Sequence, residues 1–282
     1  MEYSNYTDAQ LMEAIEVEPG LMVPRAFSLH WEEINAPKKP YISIKAEQVE
    51  KPVFGHSCFG YYPLLPLNFP YPKDSWGKPL YPLAQINFKE LPVLAVYPTS
   101  GYLQFYISGL SDLYGMNLDD QQSQVDFRVL YFEEKNVINH QTDFSFLNFT
   151  VEDFSLPTNV PHHLTFQLSD EYPGGEDIHY EAFVSQFLGP IAQRYPSIRE
   201  DLLFEVSYCL QNNGHKIGGY AYFTQSDPRQ FSEVLKEHIL LFQMDSDQEI
   251  MWGDVGVANF FIGPDDLAKK DFSKVMYNWD CG

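Results

Sequence analysis

Positive charge is scarce in this sequence. Its 282 residues include 18 Lys and Arg against 39 Asp and Glu, which gives a formal net charge of −21. Direct nucleic-acid binding needs clusters of Lys and Arg that neutralise phosphates, so we expect no such ligand. The N-terminal residues also lack the basic start and the apolar stretch of a secretory signal peptide. We therefore expect a cytoplasmic protein.

Long apolar runs and cysteine pairs are also missing. No stretch approaches the ~18 apolar residues of a membrane-spanning helix, so no membrane partner is expected. Cys58, Cys209 and Cys281 are odd in number and widely spaced, which favours unpaired thiols in a reducing compartment. Cys58 lies near His56 and could act as a nucleophile, but no residue that would orient the base is identifiable. A structural thiol is therefore favoured.

Known catalytic and cofactor motifs are absent as well. The sequence has no H-E-x-x-H, no G-x-S-x-G, no Walker loop and no dinucleotide glycine fingerprint. His162 and His163 are adjacent, so on a strand they would point to opposite faces, which argues against joint metal ligation. Asp245, Asp247 and Asp254 lack the central glycine and terminal glutamate of a calcium loop. We expect no metal and no cofactor, and no catalytic residue can be named.

Aromatic residues, in contrast, are abundant. The chain contains 22 Phe, 19 Tyr and 4 Trp, or 16% of its residues. This composition supports a large folded core and excludes a disordered chain. Prolines recur between Pro19 and Pro98. Because proline removes an amide donor and disfavours helix, this region should consist of short strands and ordered loops.

Hydrophobic periodicity predicts many strands with a few helices inserted between them, a class that is mainly β or α+β. The predicted strands are 41–45, 83–87, 102–108, 127–133, 164–168, 220–224, 239–245 and 257–262. The predicted helices are 6–18, 177–195 with a break at Pro190, 197–210 with a capping box from Ser197 to Glu200, and 228–236.

Two parts of the sequence resemble each other. G-H-S-C-F-G-Y from Gly55 matches G-H-K-I-G-G-Y from Gly214, and an apolar strand centred on Gln85 or Gln243 follows each block. Each part then gives a glycine-led aromatic strand, G-Y-L-Q-F-Y-I or G-V-A-N-F-F-I. Three blocks in the same order predict two related β units, at about 55–108 and 214–262. We expect them in a single domain, 1–282, with a mixed strand and helix insert at about 109–213.

The repeated polar residues are the first candidates for a ligand-binding site. Gln85 and Gln243 have apolar neighbours, so their amides should be buried and hydrogen bonded to loop backbone. His56 and His215 either connect loop and sheet or converge as ligand-binding groups across a cleft between the repeats. A separation beyond about 15 Å would exclude their convergence.

Further candidates follow the second repeat. Asp227 either caps a turn that starts the next helix or forms, with Arg229, a polar rim beside His215. Arg229 is a rare cation and should either be paired with an acid or be available to an anion, and the paired alternative is favoured. Trp252 and Asp254 complete the candidate ligand-binding residues.

The combined motifs resemble a known family. The segments G-H-K-I-G-G-Y-A-Y-F-T-Q-S-D-P-R at 214–229, I-L-L-F-Q-M-D-S-D at 239–247 and W-G-D-V-G-V-A-N-F-F-I at 252–262 look like the YwqG-like family, a bacterial domain of unknown function. P-L-Y-P-L-A-Q-I-N-F-K-E-L-P at 79–92 is similar to its first half. The resemblance implies a β-rich, roll-like fold of duplicated units in a cytoplasmic bacterial protein, and no established activity. Phe59-Gly60 departs from Gly218-Gly219, so identical contacts in the two halves are not implied.

Two functions stay open at this point. The first is a non-catalytic binding module whose negative charge favours a basic protein partner through steering and complementary charge. The alternative is an enzyme of unknown class, for example a hydrolase, with its site in the cleft between the repeats. His215, His56, Asp227 or Asp254 would then be the acid–base groups. A deep pocket in which two of these side chains converge would favour the enzyme. The sequence does not indicate the oligomeric state.

Overall fold

The structure, a computed structural model, describes residues 6–34, 36, 38–148 and 156–282. Residues 149–155, part of the predicted insert, lie outside the described residues. The protein divides into two compact units. The smaller unit consists of Met1–Lys39, Asp170–Asn213 and Tyr220–Tyr222, and the larger one of Pro40–Ser169, Gly214–Gly219 and Phe223–Gly282.

Strands dominate the secondary structure, and the prediction of a mainly β fold is confirmed. The strands are β1 Ala14–Glu18, β2 Leu21–Pro24, β3 Lys39–Gln48, β4 Cys58–Phe59, β5 Tyr81–Asn87, β6 Tyr102–Ile107, β7 Phe127–Phe132, β8 His162–Glu171, β9 His215–Gly218, β10 Ile239–Asp245, β11 Val257–Ile262 and β12 Met276–Asp280. The helices are α1 Asp8–Leu11, α2 Arg25–Ser28, α3 Tyr180–Phe183, α4 Gly189–Ala192, α5 Arg199–Cys209 and α6 Pro264–Lys269.

The larger unit is built on one curled, ten-stranded antiparallel sheet. Its strand order is β12-β11-β10-β9-β3-β8-β4-β5-β6-β7. From the centre outward, β9 to β12 on one side mirror β4 to β7 on the other. The curl brings the two edge strands together, because the Phe127 and Tyr277 rings lie 5.1 Å apart. The two predicted β units therefore occupy equivalent places in one sheet.

Aromatic side chains fill the inside of this curled sheet. Strands β5, β6, β10 and β11 are buried along almost their whole length, as expected for strands covered on both faces. The Phe105 ring lies 4.7 Å from the Phe242 ring and 4.8 Å from the Phe260 ring. Such ring pairs add about 0.5–1.5 kcal/mol each beyond their burial. The abundance of aromatics thus has a structural explanation.

The smaller unit has its own core, formed by the β1–β2 hairpin and helices α1 to α5. Phe27, Leu188 and Leu202 are fully buried in it. Between α3 and α4 the chain makes a π-helical turn, Val184–Leu188, in which the amide of Gly189 bonds to the carbonyl of Val184. This irregular turn is directly followed by Pro190, where the sequence predicts a break.

Two predictions of secondary structure are wrong: the helix over 6–18 and the strand over 220–224. In place of a helix over 6–18, the structure has only the single turn α1, which is closed by a capping box between Thr7 and Gln10, and then strand β1. In β1 the tertiary pairing with β2 overrides the helical pattern. No strand covers 220–224, because Gly218 and Gly219 both have positive φ and end the extended segment.

Two helix predictions also need correction. The segment 228–236 forms two separate 3-10 turns, Pro228–Phe231 and Leu235–Glu237, instead of an α-helix. The predicted helix 197–210 exists as α5, but it starts after Ile198 and has no side-chain cap. The Ser197 hydroxyl donates to the Asp8 carboxylate instead of capping the helix.

Candidate functional site

The two repeated glutamines fasten loops to the sheet. The side-chain amide of Gln85 donates to the His56 carbonyl at 3.0 Å, and that of Gln243 donates to the Gly214 carbonyl at 2.8 Å. The Gln85 side-chain oxygen also accepts from the Leu64 amide at 2.7 Å. Both glutamines are almost fully buried. They satisfy loop backbone groups, and neither is presented to a ligand.

The two β units match in a register that differs by one residue from the predicted alignment. Cys58 pairs with Gln85 in the sheet, and Lys216 pairs with Gln243. Both offsets are 158 residues (216 − 58 and 243 − 85), whereas the glycine–histidine blocks are 159 residues apart. The pairing of strands in the sheet, and not the alignment of similar residues in the sequence, determines which positions are structurally equivalent.

Ser57, and not His56, is consequently the counterpart of His215. The Ser57 hydroxyl oxygen accepts from the Asn87 amide at 2.9 Å, and His215 Nδ1 accepts from the Asp245 amide at 3.0 Å. The two histidines therefore have different places in their units. Equivalent positions are occupied by a small hydroxyl in one unit and by an imidazole in the other.

His215 is not arranged for acid–base chemistry. His215 Nδ1 accepts the Asp245 amide, so its proton is on Nε2, which donates to Asp247 Oδ2 at 3.1 Å. Both ring nitrogens are thus occupied by the fold. This hydrogen bond is the main cause that lowers the pKa of Asp247 to about 2. His56 is exposed, and its Nδ1 lies 2.8 Å from Glu90 Oε1.

Asp227 and Arg229 form a buried ion pair. Arg229 Nη2 lies 2.5 Å from Asp227 Oδ2, and Arg229 Nη1 donates to the His238 carbonyl at 2.9 Å. Asp227 and Arg229 are 1% and 2% exposed. The backbone amide of Arg229 also bonds to Asp227, which caps the turn. Arg229 is therefore paired inside the protein and does not form an exposed rim.

Cys58 and Trp252 are both buried in the sheet core. Burial raises the pKa of the Cys58 thiol to about 12, so a reactive thiolate is strongly disfavoured. Trp252 is fully buried, whereas Asp254 is exposed. Of these two candidate ligand-binding residues, only Asp254 can contact a partner directly.

His162 is a buried imidazole that sequence analysis missed. It is 1% exposed, and within the described residues neither of its ring nitrogens has a hydrogen-bond partner. Its Nε2 lies 3.4 Å from Glu249 Oε2, and burial lowers its pKa. His162 pairs in the sheet with Phe59, whose ring lies 5.3 Å from the His215 ring. The adjacency of His162 and His163 was the available signal, since alternation on a strand buries one of them.

A cluster of two histidine–carboxylate pairs, His162 with Glu249 and His215 with Asp247, is not a metal site. Throughout the part of the chain that the structure describes, no three His, Cys, Asp or Glu side chains are placed to hold a metal ion. The cluster instead connects the loop between β10 and β11 to the sheet through Asp247 and Glu249.

Two acidic loops contact each other through buried aromatic rings. The loops 109–125 and 246–256 contain no Lys or Arg. The Tyr114 ring, in the first loop, lies 5.1 Å from the Trp252 ring and 4.9 Å from the Trp279 ring. We call the surface of these two loops the acidic face. Its carboxylates are Asp112, Asp119, Asp120, Asp247, Glu249 and Asp254.

Two of the four described residues other than glycine that have positive φ lie in the acidic face. Tyr114 and Val255 have φ of 49° and 54°, in the left-handed region that side chains other than glycine rarely adopt. Such a conformation costs about 1–3 kcal/mol per residue. The Tyr114 ring is buried against two tryptophans, but Val255 is 61% exposed and Leu118 is 70% exposed. Each acidic loop thus carries one of these exposed apolar side chains and one strained residue.

The chain belongs to a family that shares a domain of unknown function, DUF1963, which it matches over residues 57–281. This range covers the second β unit and all but the first two residues of the first. Comparison with curated proteins gave no match. No helix in the described residues has the length and the apolar character needed to cross a membrane.

Proposed function

We propose that the protein is a cytoplasmic, YwqG-like binding module without catalytic activity, and that its acidic face binds a basic protein. One observation carries this proposal: two loops with six carboxylates and no Lys or Arg contact each other through the Tyr114 and Trp252 rings. A single-sign surface of this kind attracts cationic partners and raises their association rate.

The positions of the candidate acid–base residues favour binding over catalysis. Both ring nitrogens of His215 are hydrogen bonded within the protein, and Asp227 is paired with Arg229. His56 and Asp254 are exposed surface groups. A general acid or base must reach the substrate within hydrogen-bond distance while keeping a suitable protonation state. His215 and Asp227, the two buried candidates, already make these hydrogen bonds and this ion pair within the protein.

The acidic face also has features of a protein interface. Leu118 and Val255 supply exposed apolar area on the same two loops that carry the carboxylates. In protein interfaces a small apolar centre provides much of the affinity, while the charged rim sets orientation and association rate. The strained backbone at Val255 holds one of these apolar side chains in place before binding.

The proposal is tested by affinity capture from a lysate of the native host, at about 50 mM and about 500 mM salt, conditions that differ strongly in charge screening. We expect a basic protein, identified by mass spectrometry, to bind at low salt and to be released at high salt. If no basic protein binds in a salt-sensitive way, the proposal is wrong.

Two variants of equal net charge separate the acidic face from the overall charge. The face variant is D112N/D119N/D120N/D254N. The matched variant, E47Q/E50Q/E181Q/E205Q, removes four exposed carboxylates elsewhere. We expect only the face variant to lose the partner. Equal capture by both variants would contradict a role for the acidic face.

A further inference from the structure

Strand β7 forms one edge of the sheet, and part of its backbone faces outward. The Ser108 amide donates to the Asp126 carbonyl at 2.8 Å, which continues the β6–β7 ladder, so every second residue from Asp126 points toward β6. The amide of Val129 bonds instead to the side-chain oxygen of Gln124 at 2.8 Å. The backbone groups of Val129 and Tyr131 therefore point away from the sheet. Within the described residues, none bonds to the N–H or C=O of Tyr131.

A groove of about 420 Å³ runs along this edge, between β7 and the segment after α6. Tyr131 and Phe272 form its aromatic wall, with their rings stacked 5.5 Å apart. Gln124 bridges the groove at one end, because its amide nitrogen donates to the Phe272 carbonyl at 2.6 Å. The Gln124 side chain thus accepts a hydrogen bond from the outward-facing amide of Val129, as the backbone of an added strand would do.

Two cations line the groove without a carboxylate partner. Arg128 uses Nε for the carbonyls of Gln124 and Phe127, and its Nη1 and Nη2 bond to none of the described residues. Lys270 Nζ lies 5.3 Å from the centre of the Tyr131 ring and forms no ion pair within the described residues. Among the five arginines, all of them within the described residues, Arg128 is the one without an ion pair, since each of the other four pairs with a carboxylate.

The backbone of Lys270 has an unusual conformation for a lysine. Lys270 ends helix α6 with φ of 56°, at the position that glycine normally occupies in this type of helix end. A lysine here is less favourable than glycine for the fold alone. The side chain is nevertheless present, and it lies over the aromatic wall of the groove.

We propose that this groove binds an extended acidic segment of a partner protein, which adds as a strand to β7 and places a carboxylate on Arg128 and Lys270. Backbone hydrogen bonds to Tyr131 would provide affinity, and the two cations would select an acidic residue. This site lies on the sheet edge and has the opposite charge to the acidic face. It therefore does not depend on the function proposed above.

Fluorescence anisotropy with defined peptides tests the proposal. The probe is a fluorescein-labelled peptide of alternating glutamate and valine. A second peptide of the same sequence carries an N-methyl group on every backbone amide, so that it keeps the charge but cannot donate ladder hydrogen bonds. We expect saturable binding of the first peptide only, together with slowed hydrogen exchange at the Tyr131 amide. Equal binding of both peptides, or of neither, would overturn strand addition.

Three variants test the two cations. We expect R128Q and K270G each to weaken binding roughly tenfold or more, as for the loss of a charge-assisted hydrogen bond. K270G also relieves the positive φ, so a loss of binding cannot be attributed to unfolding. R199Q, which removes an arginine that pairs with Glu200 in the smaller unit, makes the same charge change as R128Q. If all three variants bind the peptide alike, the groove is not the site.

Discussion

The two β units of the larger unit share one scaffold but differ in their charge. Both pair their central glutamine with the next strand at the same place, Gln85 with Gln104 and Gln243 with Asn259. Both have an irregularity near the start of that pairing, between Pro82 and Ala84 in one and between Leu240 and Phe242 in the other. The hydrogen-bond register is thus reproduced even where the residues differ.

Tyr71 and Arg229 show the difference most clearly. They are separated by the same 158 residues as the paired strands (229 − 71), and each donates to a loop carbonyl, Tyr71 to Leu80 and Arg229 to His238. A neutral hydroxyl therefore meets the structural need in the first unit. The shared strand arrangement therefore does not require a buried cation. The buried Asp227–Arg229 ion pair is a feature of the second unit alone.

Substitution of Arg229 and of Tyr71 should give the largest difference in unfolding free energy between the two units. R229M leaves the Asp227 carboxylate buried without its cation, which should cost about 3–5 kcal/mol of unfolding free energy. Y71F removes one hydrogen bond and should cost about 1–2 kcal/mol. Urea titration followed by tryptophan fluorescence measures both. The double variant D227N/R229M serves as control and should recover part of the loss. Equal losses in R229M and Y71F would contradict the distinction.

A smaller and more similar effect is expected at the two glutamines. Q85L leaves the Leu64 amide and the His56 carbonyl unbonded, and should cost about 2–4 kcal/mol. Q243L frees the Gly214 carbonyl and should cost about 1–3 kcal/mol. The same urea titration applies. If either substitution leaves stability unchanged, that glutamine does not hold its loop.

The smallest effect concerns pH, and it is confined to the second unit. The pKa of Asp247 is lowered in the folded protein to about 2, chiefly by the hydrogen bond from His215. On acidification the unfolded chain therefore takes up this proton first. Stability from Asp247 is complete above its ordinary pKa of about 4 and disappears as the pH falls toward 2.

The variant D247N checks this expectation. The wild type should be more stable than D247N by about 1 kcal/mol near neutral pH, since Asp247 is partly exposed and its interaction is screened. The difference should vanish near pH 2. In the first unit, S57A should lower stability equally at all pH values, because Ser57 does not titrate. A pH-independent difference for D247N would show that the Asp247–His215 hydrogen bond does not stabilise the charged carboxylate.

Much of the sheet could be predicted from the sequence, because its strands have clear hydrophobic patterns. The predicted strand 239–245 coincides with β10, and 257–262 coincides with β11. Short elements were less predictable, since the pairing of β1 with β2 and the glycine pair at 218–219 override local preference. Local patterns do not encode such tertiary competition.

The site was less predictable than the fold. Sequence similarity aligned His56 with His215, but a shift of one residue moves a strand side chain to the other face, and only the sheet register settles it. His162 was considered only as a metal ligand, because its burial depends on β4 and on the loop that carries Glu249. The acidic face was not predicted as one surface, because its two loops are distant in sequence and contact each other through the Tyr114 and Trp252 rings.

The most direct test of the acidic face is the association rate of the captured basic partner, measured by stopped flow over a range of ionic strength. The wild type and the matched variant should bind fast at low salt and slow steeply as salt is added. The face variant should bind more slowly at low salt and respond less to salt. If both variants are slowed equally, binding follows the net charge of −21 and not the face formed by the two acidic loops.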